Sequence, residues 1–388
     1  MNSPLRRIAI FLLLPMALFI IESVNDDEYT CFAQSLSIEA QLGQNFVVGI
    51  PAATLDKKSE AILRRIKPAG IVLYSRNYKS LEQLRELVNK LQLIGLEETG
   101  QPFFIMIDEE PQGATRLGLL TKVFVLGLPD WKKIERNIAV LSNIGINVDL
   151  APLADFPYNP KAFIKQRMPV DNEEDLVQFN TTFIALLHRY GMLSTLKHFP
   201  GLGMFQDDPH NTIPLTYFPE EVFNRSLSIF QEGVSSGADF VMTGHAIYKN
   251  IDPNNPATFS SLIIQNTLKE KLKFRGLVIT DDLSDMPLRT YNGLDITGAV
   301  IASIMAGHNL VLLSHNLQRT SNLFDDLLDH VKDDKELRLR ISANYAKIMS
   351  FKERCFREQN PLRGASNPAA VGLFKPPATP VCMTSLNR

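Results

Sequence analysis

Eight short apolar runs recur along this chain and constrain its fold more than any other feature. They are rich in Val, Ile, Leu and Phe, and they are too continuously apolar for strands with one face in water. Burial on both faces is typical of strands in a parallel sheet that is covered by helices. The runs are 46–50, 70–74, 103–108, 147–152, 194–199, 240–245, 277–281 and 309–314.

Longer segments with the apolar spacing of amphipathic helices separate these runs. Eight strands alternating with helices predict the α/β class and a (β/α)8 TIM-type barrel. An open doubly wound sheet is the alternative, and it is not excluded by the absence of the Gly-rich phosphate fingerprint that often opens such sheets. The helical segments include 80–93, 130–143, 175–190, 219–236, 260–271 and 293–306.

The composition is that of a globular protein and excludes some partners. The chain has 388 residues, of which 45% are hydrophobic, and a net charge of −2. This balance gives no indication of nucleic-acid binding. The three cysteines, Cys31, Cys355 and Cys382, lack metal-ligand spacing and predict neither a zinc site nor a disulfide framework. We therefore expect no metal site and no cofactor.

The N-terminus has the pattern of an export signal. Arg6 and Arg7 precede the apolar run 8–21, and an acidic stretch follows it. The run is shorter than the ~20 residues of a membrane span. No clean Ala-x-Ala cleavage site follows, so an uncleaved anchor that attaches residues 8–21 to a membrane remains an alternative. We expect a protein that is periplasmic, extracellular or anchored to the outer face of the cytoplasmic membrane.

Composition divides the chain into three parts. Residues 1–34 form the predicted signal peptide or membrane anchor, and residues 35–359 form the predicted barrel domain. The tail 360–388 is punctuated by prolines and has no periodicity, which predicts a flexible segment. We expect the protein to be a monomer.

Polar residues follow several of the predicted strands at the point where each ends. In a barrel the carboxyl ends of the strands meet at one face, where active sites are built. Residues far apart in the sequence are therefore expected to converge at one mouth. The alternative is that each polar residue merely caps the following helix. The strand-end residues are Asp108, Asp155, Lys197, His198, His245, Asp281 and Asp282.

The stretch 197–214 concentrates ionisable groups at the end of the fifth strand and in the loop that follows. Asp208 and His210 are spaced to meet across a tight turn. A carboxylate beside an imidazole fixes its tautomer and prepares it for proton transfer. Asp281, at the tip of the seventh strand, is then the candidate for a nucleophile opposite His210, as a retaining glycosidase requires. A second interpretation gathers Asp108, His198, His245 and Asp281 as metal ligands.

At this point the sequence resembles glycoside hydrolase family 3, and within it the β-N-acetylglucosaminidase branch. The segment 197–201, Lys-His-Phe-Pro-Gly, followed by Asp208, His210 and Pro214, resembles the signature of that branch. The resemblance extends over most of the chain. Further matching segments are 70–77, 107–110 with Arg116, 147–155, Arg167, 242–245, 276–284 and 306–307.

The resemblance implies roles for individual residues. Asp281 matches the family's nucleophile, and His210 with Asp208 matches the histidine acid/base and its partner on a flexible loop. Residues that hold the sugar, or lie near it, are matched by Asp108, Arg116, Arg167, Lys197, His198 and His245. The implied function is that of a retaining exo-β-N-acetylglucosaminidase. It would release terminal GlcNAc from peptidoglycan fragments or related glycans through a glycosyl-aspartate intermediate.

The chain departs from the family pattern at several positions. Leu202 replaces a second histidine, and Pro209 replaces a small residue between the dyad members. The segment 110–113, Glu-Pro-Gln-Gly, loses an arginine, and the stretch between Arg116 and Arg167 is shorter than usual. These changes put the substrate preference in question. A sugar-binding relative without catalysis, a β-glycosidase of other sugar preference and a metal-dependent hydrolase are the alternatives.

Overall fold

The computed structural model describes residues 36–125, 127–284 and 287–356. The predicted signal peptide or anchor 1–34 and the predicted tail 360–388 lie outside the described residues. Among the described helices, none is long and apolar enough to cross a membrane.

Eight parallel strands form the barrel that the sequence predicts, and the fold prediction is confirmed. Hydrogen bonds join them in the order β4–β3–β2–β1–β8–β7–β6–β5. Parallel bridges from Val148 to Leu193 and from Leu153 to Lys197 connect β4 with β5 and complete the ring. The strands are β1 Phe46–Gly49, β2 Gly70–Leu73, β3 Phe104–Ile107, β4 Val148–Asp149, β5 Thr195–Phe199, β6 Phe240–Thr243, β7 Leu277–Asp282 and β8 Leu310–Leu313.

Helices cover the outside of this ring. Most begin at a side-chain cap, as Asp56, Ser80, Asp130, Asn172 and Asp295 show by accepting a backbone N–H of the first turn. A π-helix, Leu262–Lys271, connects β6 to β7. The α-helices are α1 Ile38–Gly43, α2 Lys57–Ile66, α3 Leu81–Thr99, α4 Trp131–Ile144, α5 Glu173–Arg189, α6 Glu220–Ser235, α7 Ile296–Ala306, α8 Leu317–Asp333 and α9 Lys335–Phe356.

The last helix, α9, closes the amino-terminal end of the barrel. The Phe351 ring meets the rings of Phe104 and Phe240, the first residues of β3 and β6, at centroid distances of 6.1 and 5.6 Å. Phe356 adds a further contact with Phe104 at 5.8 Å. Cys355 in the same helix is disulfide-bonded, although the cysteine spacing predicts no disulfide framework. Among the described residues, apolar side chains plug this end of the barrel, and the carboxyl-terminal end is the open mouth.

Lys352 of α9 is buried in this apolar plug. Its Nζ donates to Gln44 Oε1 at 3.3 Å and lies 4.9 Å from the centroid of the Phe104 ring. Burial lowers the pKa of the Lys352 amine from 10.5 to about 7. Burying the charged Lys352 amine therefore costs free energy in the folded state, and the unfolded chain does not have this cost.

Replacing Lys352 by methionine should change how stability depends on pH. Between pH 7 and 10.5 the unfolded chain keeps a proton on Lys352 that the folded protein has lost. The free energy of unfolding of the wild type should therefore rise with pH, by up to ~1.4 kcal/mol per pH unit from this group. Lys352→Met should be more stable than the wild type at pH 7, and its advantage should shrink towards pH 10.

Urea unfolding at pH 7, 8.5 and 10 measures this difference. Lys335→Met is the matched control, because Lys335 is exposed at the start of the same helix. A stability difference between Lys352→Met and the wild type that stays constant with pH would contradict the account.

Candidate active site

One cavity of about 800 Å³ opens at the carboxyl ends of the strands. It lies within the ~300–1,000 Å³ range of small-molecule sites. The structure brings every predicted site residue except His245 to its wall. These residues are Asp108, Arg116, Arg167, Lys197, His198, Asp208, His210 and Asp281.

Asp281 lies near the end of β7 and faces the cavity. The pairing of β7 with β8 shifts between Ile279 and Asp282, so the last two residues of the strand do not continue its regular register. The carboxylate of Asp281 accepts the backbone N–H of Asp282 at 2.8 Å. Its other oxygen lies 3.7 Å from His198 Nε2. The side chain is 19% exposed, so it is held in place and still open to a ligand.

The carboxylate of the neighbouring Asp282 is hydrogen-bonded to other residues of the protein. Its carboxylate accepts hydrogen bonds from the Ser284 N–H at 2.9 Å and the Ser284 hydroxyl at 2.6 Å, and from the Ser314 hydroxyl. His315 Nδ1 lies 3.0 Å from the same carboxylate. Burial alone would raise the pKa of Asp282, but these hydrogen bonds outweigh it and lower the pKa. Of the two adjacent aspartates, Asp281 is therefore the one available to attack a substrate.

His198 is oriented by Asp155, a strand-end residue that was not predicted to belong to the site. Asp155 is fully buried, and its carboxylate lies 2.8 Å from His198 Nδ1. It also accepts the backbone N–H groups of His198 and Leu202. Because a carboxylate accepts, Nδ1 carries a proton and Nε2 points towards Asp281. Asp155 thus fixes the ring that borders the candidate nucleophile.

A network of ion pairs lines the other side of the cavity. Lys197 Nζ donates to Asp108 Oδ1 and lies 2.7 Å from Glu110 Oε1. Arg116 donates to the second oxygen of Asp108 at 2.8 Å, and Arg167 binds Glu110 through two nitrogens. Glu110 was not predicted as a site residue. Two carboxylates thus hold three cations in fixed positions, which is an arrangement suited to binding sugar hydroxyls from several directions.

The charges of this network stabilise one another. Burial disfavours the ionised form of Glu110, but Lys197 and Arg167 outweigh it and lower its pKa to about 2. Asp108 behaves in the same way, with a pKa held well below its usual range by Lys197 and Arg116. Burial would lower the pKa of Lys197, yet the two carboxylates raise it. The groups are therefore ionised together across the neutral pH range.

Tyr74, the residue directly after β2, supports this network from one side. Its ring lies between two guanidinium groups, with Arg76 at 4.5 Å and Arg116 at 4.7 Å from the ring centroid. Burial raises the pKa of the Tyr74 hydroxyl, and the negative charges of Asp108 and Asp282 add to this effect. The stacking fixes Arg116 over the cavity, where Tyr74 is also part of the wall.

The Asp208–His210 pair lies on the loop between β5 and the short strand Leu215–Thr216. The Asp208 carboxylate accepts the His210 backbone N–H at 2.9 Å and lies 2.6 Å from His210 Nδ1. The Asp208 carbonyl accepts the Asn211 N–H, which closes a tight turn with Pro209 at its second position. Proline suits that position because its φ is preset. The His210 side chain is 62% exposed, so its Nε2 is accessible to a substrate in the cavity.

His245 does not line the cavity. It is buried behind the end of β7, where its Nε2 donates to the carbonyl of Asp282 at 3.3 Å and its Nδ1 lies 2.7 Å from the Thr258 hydroxyl. Burial lowers the pKa of His245 and favours the neutral ring. The Thr258 hydroxyl also donates to the Gly244 carbonyl at 2.9 Å, so it links His245 to the end of β6. His245 therefore supports the strand that carries Asp281.

Two of the positions where the sequence departs from the family pattern, Leu202 and the turn 111–113, can be located in the structure. Leu202 is 2% exposed and packs in an apolar cluster with Phe199 and Phe205, outside the cavity wall. Gly113 lies against Glu110 so closely that a Cβ at this position would come within 1.9 Å of Glu110 Oε2. The altered turn at 111–113 therefore leaves room for the Glu110 ion pairs.

The predicted metal-site alternative gathers Asp108, His198, His245 and Asp281. Within 36–125, 127–284 and 287–356, no three His, Cys, Asp or Glu side chains are arranged to hold a metal ion. Asp108 is paired with Lys197 and Arg116, and His245 faces away from the cavity.

Comparison with known proteins places the barrel in a family. Residues 37–351 match the model of the glycosyl hydrolase family 3 N terminal domain. This chain belongs to glycoside hydrolase family 3. The protein is thus a hydrolase of the class that the sequence predicted. The match covers the whole barrel and every residue of the site described above.

Individual relatives agree with this assignment. The chain is 30% identical over 285 residues to the β-hexosaminidase of Xylella fastidiosa (strain 9a5c), an alignment covering 69% of this chain and 83% of that protein. It is 27% identical over 308 residues to the β-hexosaminidase of Histophilus somni (strain 2336), covering 75% and 86%.

Solved structures share the fold. The family 3 β-N-acetylglucosaminidase from Paenibacillus sp. str. FPU-7 superposes with a TM-score of 0.72 at 25% identity, covering 82% of this chain and 63% of that one. The present chain therefore spans less than two thirds of the Paenibacillus protein. The β-N-acetylhexosaminidase from Beutenbergia cavernae DSM 12333 has a TM-score of 0.71 at 25% identity, with coverages of 82% and 98%.

Proposed function

We propose that this protein is a retaining exo-β-N-acetylglucosaminidase that uses Asp281 as nucleophile and His210 as acid/base. The observation that carries the proposal is the position of both groups on one cavity, with Asp282 engaged elsewhere and Asp281 open. The names of the relatives, β-hexosaminidase and β-N-acetylglucosaminidase, support N-acetylglucosamine as the sugar. Peptidoglycan fragments or related glycans are the proposed natural substrates.

The first chemical step forms a covalent intermediate. Asp281 attacks the anomeric carbon while His210 Nε2–H gives its proton to the glycosidic oxygen. The bond between the anomeric carbon and the glycosidic oxygen breaks in the same step. The leaving group departs as a neutral alcohol. His210 is then a neutral ring that keeps its Nδ1 proton, because Asp208 accepts from that nitrogen.

The second step releases the sugar. His210 Nε2 takes a proton from a water molecule as the water oxygen attacks the anomeric carbon, and the Asp281 carboxylate leaves. Two inversions at the same carbon give net retention. Asp208 assists both steps, because its negative charge stabilises the protonated His210 ring and its contact with Nδ1 keeps the same tautomer throughout.

The ion-pair network provides the proposed sugar contacts. Asp108 can accept hydrogen bonds from hydroxyls, and Arg116, Arg167 and Lys197 can donate, while the buried Glu110 holds Arg167 and Lys197 in place. The fixed geometry of these five groups favours one orientation of the terminal sugar, which suits an exo mode of action. His198 Nε2 adds one contact close to Asp281.

The remaining parts of the proposal concern location and assembly. The basic start and the apolar run 8–21 support export to the periplasm, the extracellular space or the outer face of the cytoplasmic membrane. We propose that the protein acts there as a monomer, with membrane attachment through residues 8–21 where the segment is not cleaved.

A paired hydrolysis assay tests the proposed function. The full-length protein should hydrolyse 4-nitrophenyl β-GlcNAc far faster than 4-nitrophenyl β-glucoside, and addition of a chelator should not change either rate. Binding of GlcNAc without hydrolysis would overturn the enzymatic proposal in favour of a sugar-binding protein. Preference for the glucoside would overturn the sugar assignment, and loss of activity with chelator would indicate a metal-dependent hydrolase.

A further inference from the structure

A second cavity of about 550 Å³ lies at the same end of the barrel, between the loops that follow β3 and β4. Its wall comes from the hairpin Phe124–Val125 and Leu128–Pro129, from the start of α4 and from the start of α5. It shares no wall residue with the cavity that contains Asp281. The mechanism proposed above makes no use of it.

Aromatic side chains form one side of this second cavity. Trp131, the only tryptophan of the chain, packs on Phe179 at a centroid distance of 5.1 Å. Phe124 stacks on the same Phe179 ring at 6.0 Å. Trp131 and Phe124 are only partly buried, so the stack holds them rigidly while part of each ring faces the cavity. Rigid aromatic surfaces of this kind suit the C–H faces of sugar rings, since they bind apolar area at low entropic cost.

The opposite side of the cavity is polar but carries no cation. Gln112, Asp171 and Gln178 are exposed, and their side chains make no hydrogen bond with another described residue. Amide and carboxylate groups of this type can donate to and accept from hydroxyls. Among the described residues, no Lys or Arg belongs to the wall. The wall therefore favours a neutral ligand over one that carries phosphate or carboxylate groups.

The two cavities are direct neighbours. Gln112 belongs to the second cavity and Gly113 to the first, so one turn separates them. The chain crosses from one to the other a second time between Arg167 and Met168. Because consecutive residues line the two cavities at two points, the second cavity is within reach of a glycan of several sugars bound at Asp281.

We propose that the second cavity is a subsite for a neutral sugar residue of a longer glycan whose terminal GlcNAc occupies the first cavity. This inference rests on the proposed function, because it assumes that the first cavity accepts GlcNAc. It assigns Trp131 to stacking on that sugar and Gln112 with Gln178 to its hydroxyl or acetamido groups. It predicts that the protein favours oligosaccharides over single-sugar substrates.

The single tryptophan makes the site directly observable. In full-length protein with Asp281→Asn, which prevents turnover, titration with N-acetylchitotriose should produce a saturable change in tryptophan emission. GlcNAc alone should produce little change, because it fills only the first cavity. Chitotriose binding without a change in emission would overturn the proposal. A response to a lysine tripeptide in place of chitotriose would assign the cavity to a cationic peptide and would overturn it equally.

Substitution of Gln178 gives an independent readout. Gln178→Ala should weaken chitotriose binding by about three- to tenfold, as expected for one lost hydrogen bond. Its kcat/KM on chitotriose should fall by the same factor through KM, relative to its kcat/KM on 4-nitrophenyl β-GlcNAc. Gln318→Ala, an exposed position on α8 that lines neither cavity, is the matched control.

The proposed function and the proposed subsite can be disproved independently of each other. If the wild type does not hydrolyse 4-nitrophenyl β-GlcNAc, the proposed function is wrong, and the emission titration still reports on the second cavity. If the wild type hydrolyses that substrate while Gln178→Ala keeps the wild-type ratio of chitotriose to aryl activity, the subsite is wrong and the function stands.

Discussion

Replacing Asp281 by alanine is expected to lower kcat on 4-nitrophenyl β-GlcNAc by about 10⁴-fold or more, as loss of a nucleophilic or triad carboxylate does elsewhere. The reason is that neither step of the double displacement can proceed without a carboxylate at the anomeric carbon. The neighbouring Asp282 cannot replace it, because its oxygens are engaged with Ser284, Ser314 and His315. Steady-state kinetics with purified protein measure the loss.

Asp281→Asn is the appropriate companion variant. An asparagine can keep the hydrogen bond from the Asp282 N–H, so this variant should fold as the wild type does and still lack the nucleophile. Circular dichroism and GlcNAc binding check that the protein is intact. Retention of substantial activity in both variants would remove Asp281 from its assigned role.

Replacing His210 by alanine is expected to produce a loss that depends on the leaving group. General acid catalysis contributes about 10²- to 10⁴-fold, and it matters most when the departing oxygen is a strong base. The kcat/KM of His210→Ala on a methyl β-GlcNAc glycoside should therefore fall by a factor in that range. On a dinitrophenyl glycoside, whose leaving group needs no proton, kcat/KM, which reports the first step, should fall only slightly.

Because His210 is exposed, its substitution is expected to affect catalysis without affecting the fold. The side chain is 62% exposed and, among the described residues, its ring hydrogen-bonds only to Asp208, so the substitution should not disturb the barrel. Asn211→Ala, at the neighbouring exposed position of the same loop, controls for loop movement. Equal losses on both glycosides would argue against a role for His210 as the acid.

The barrel could be predicted from the sequence because strands buried on both faces leave continuous apolar runs. The extent of individual strands was harder to predict. The fourth run was expected over 147–152, yet β4 is only Val148–Asp149. The run includes Pro152, which has no N–H to offer a neighbouring strand. The plug formed by α9 was not foreseen, since periodicity shows that a helix exists but not where it docks.

The site residues that the sequence missed act through other residues. Glu110 is two positions after Asp108, and alternate residues of an extended segment share a side, so this spacing was an available signal. Asp155 was noted as a possible cap, and its contact with His198 depends on the neighbouring strand β5. His245 shows the converse. His245 is the last residue of the apolar run 240–245, but its ring lies behind β7 and does not face the cavity.

The most direct test of the central claim is to trap the intermediate. An activated fluoro-GlcNAc glycosyl fluoride forms the glycosyl-enzyme faster than water can release it. Mass spectrometry of the digested protein should then find the sugar on the peptide that contains Asp281, and Asp281→Asn should remain unlabelled. A label on another residue, or hydrolysis without any label and with inverted configuration of the product, would contradict the account.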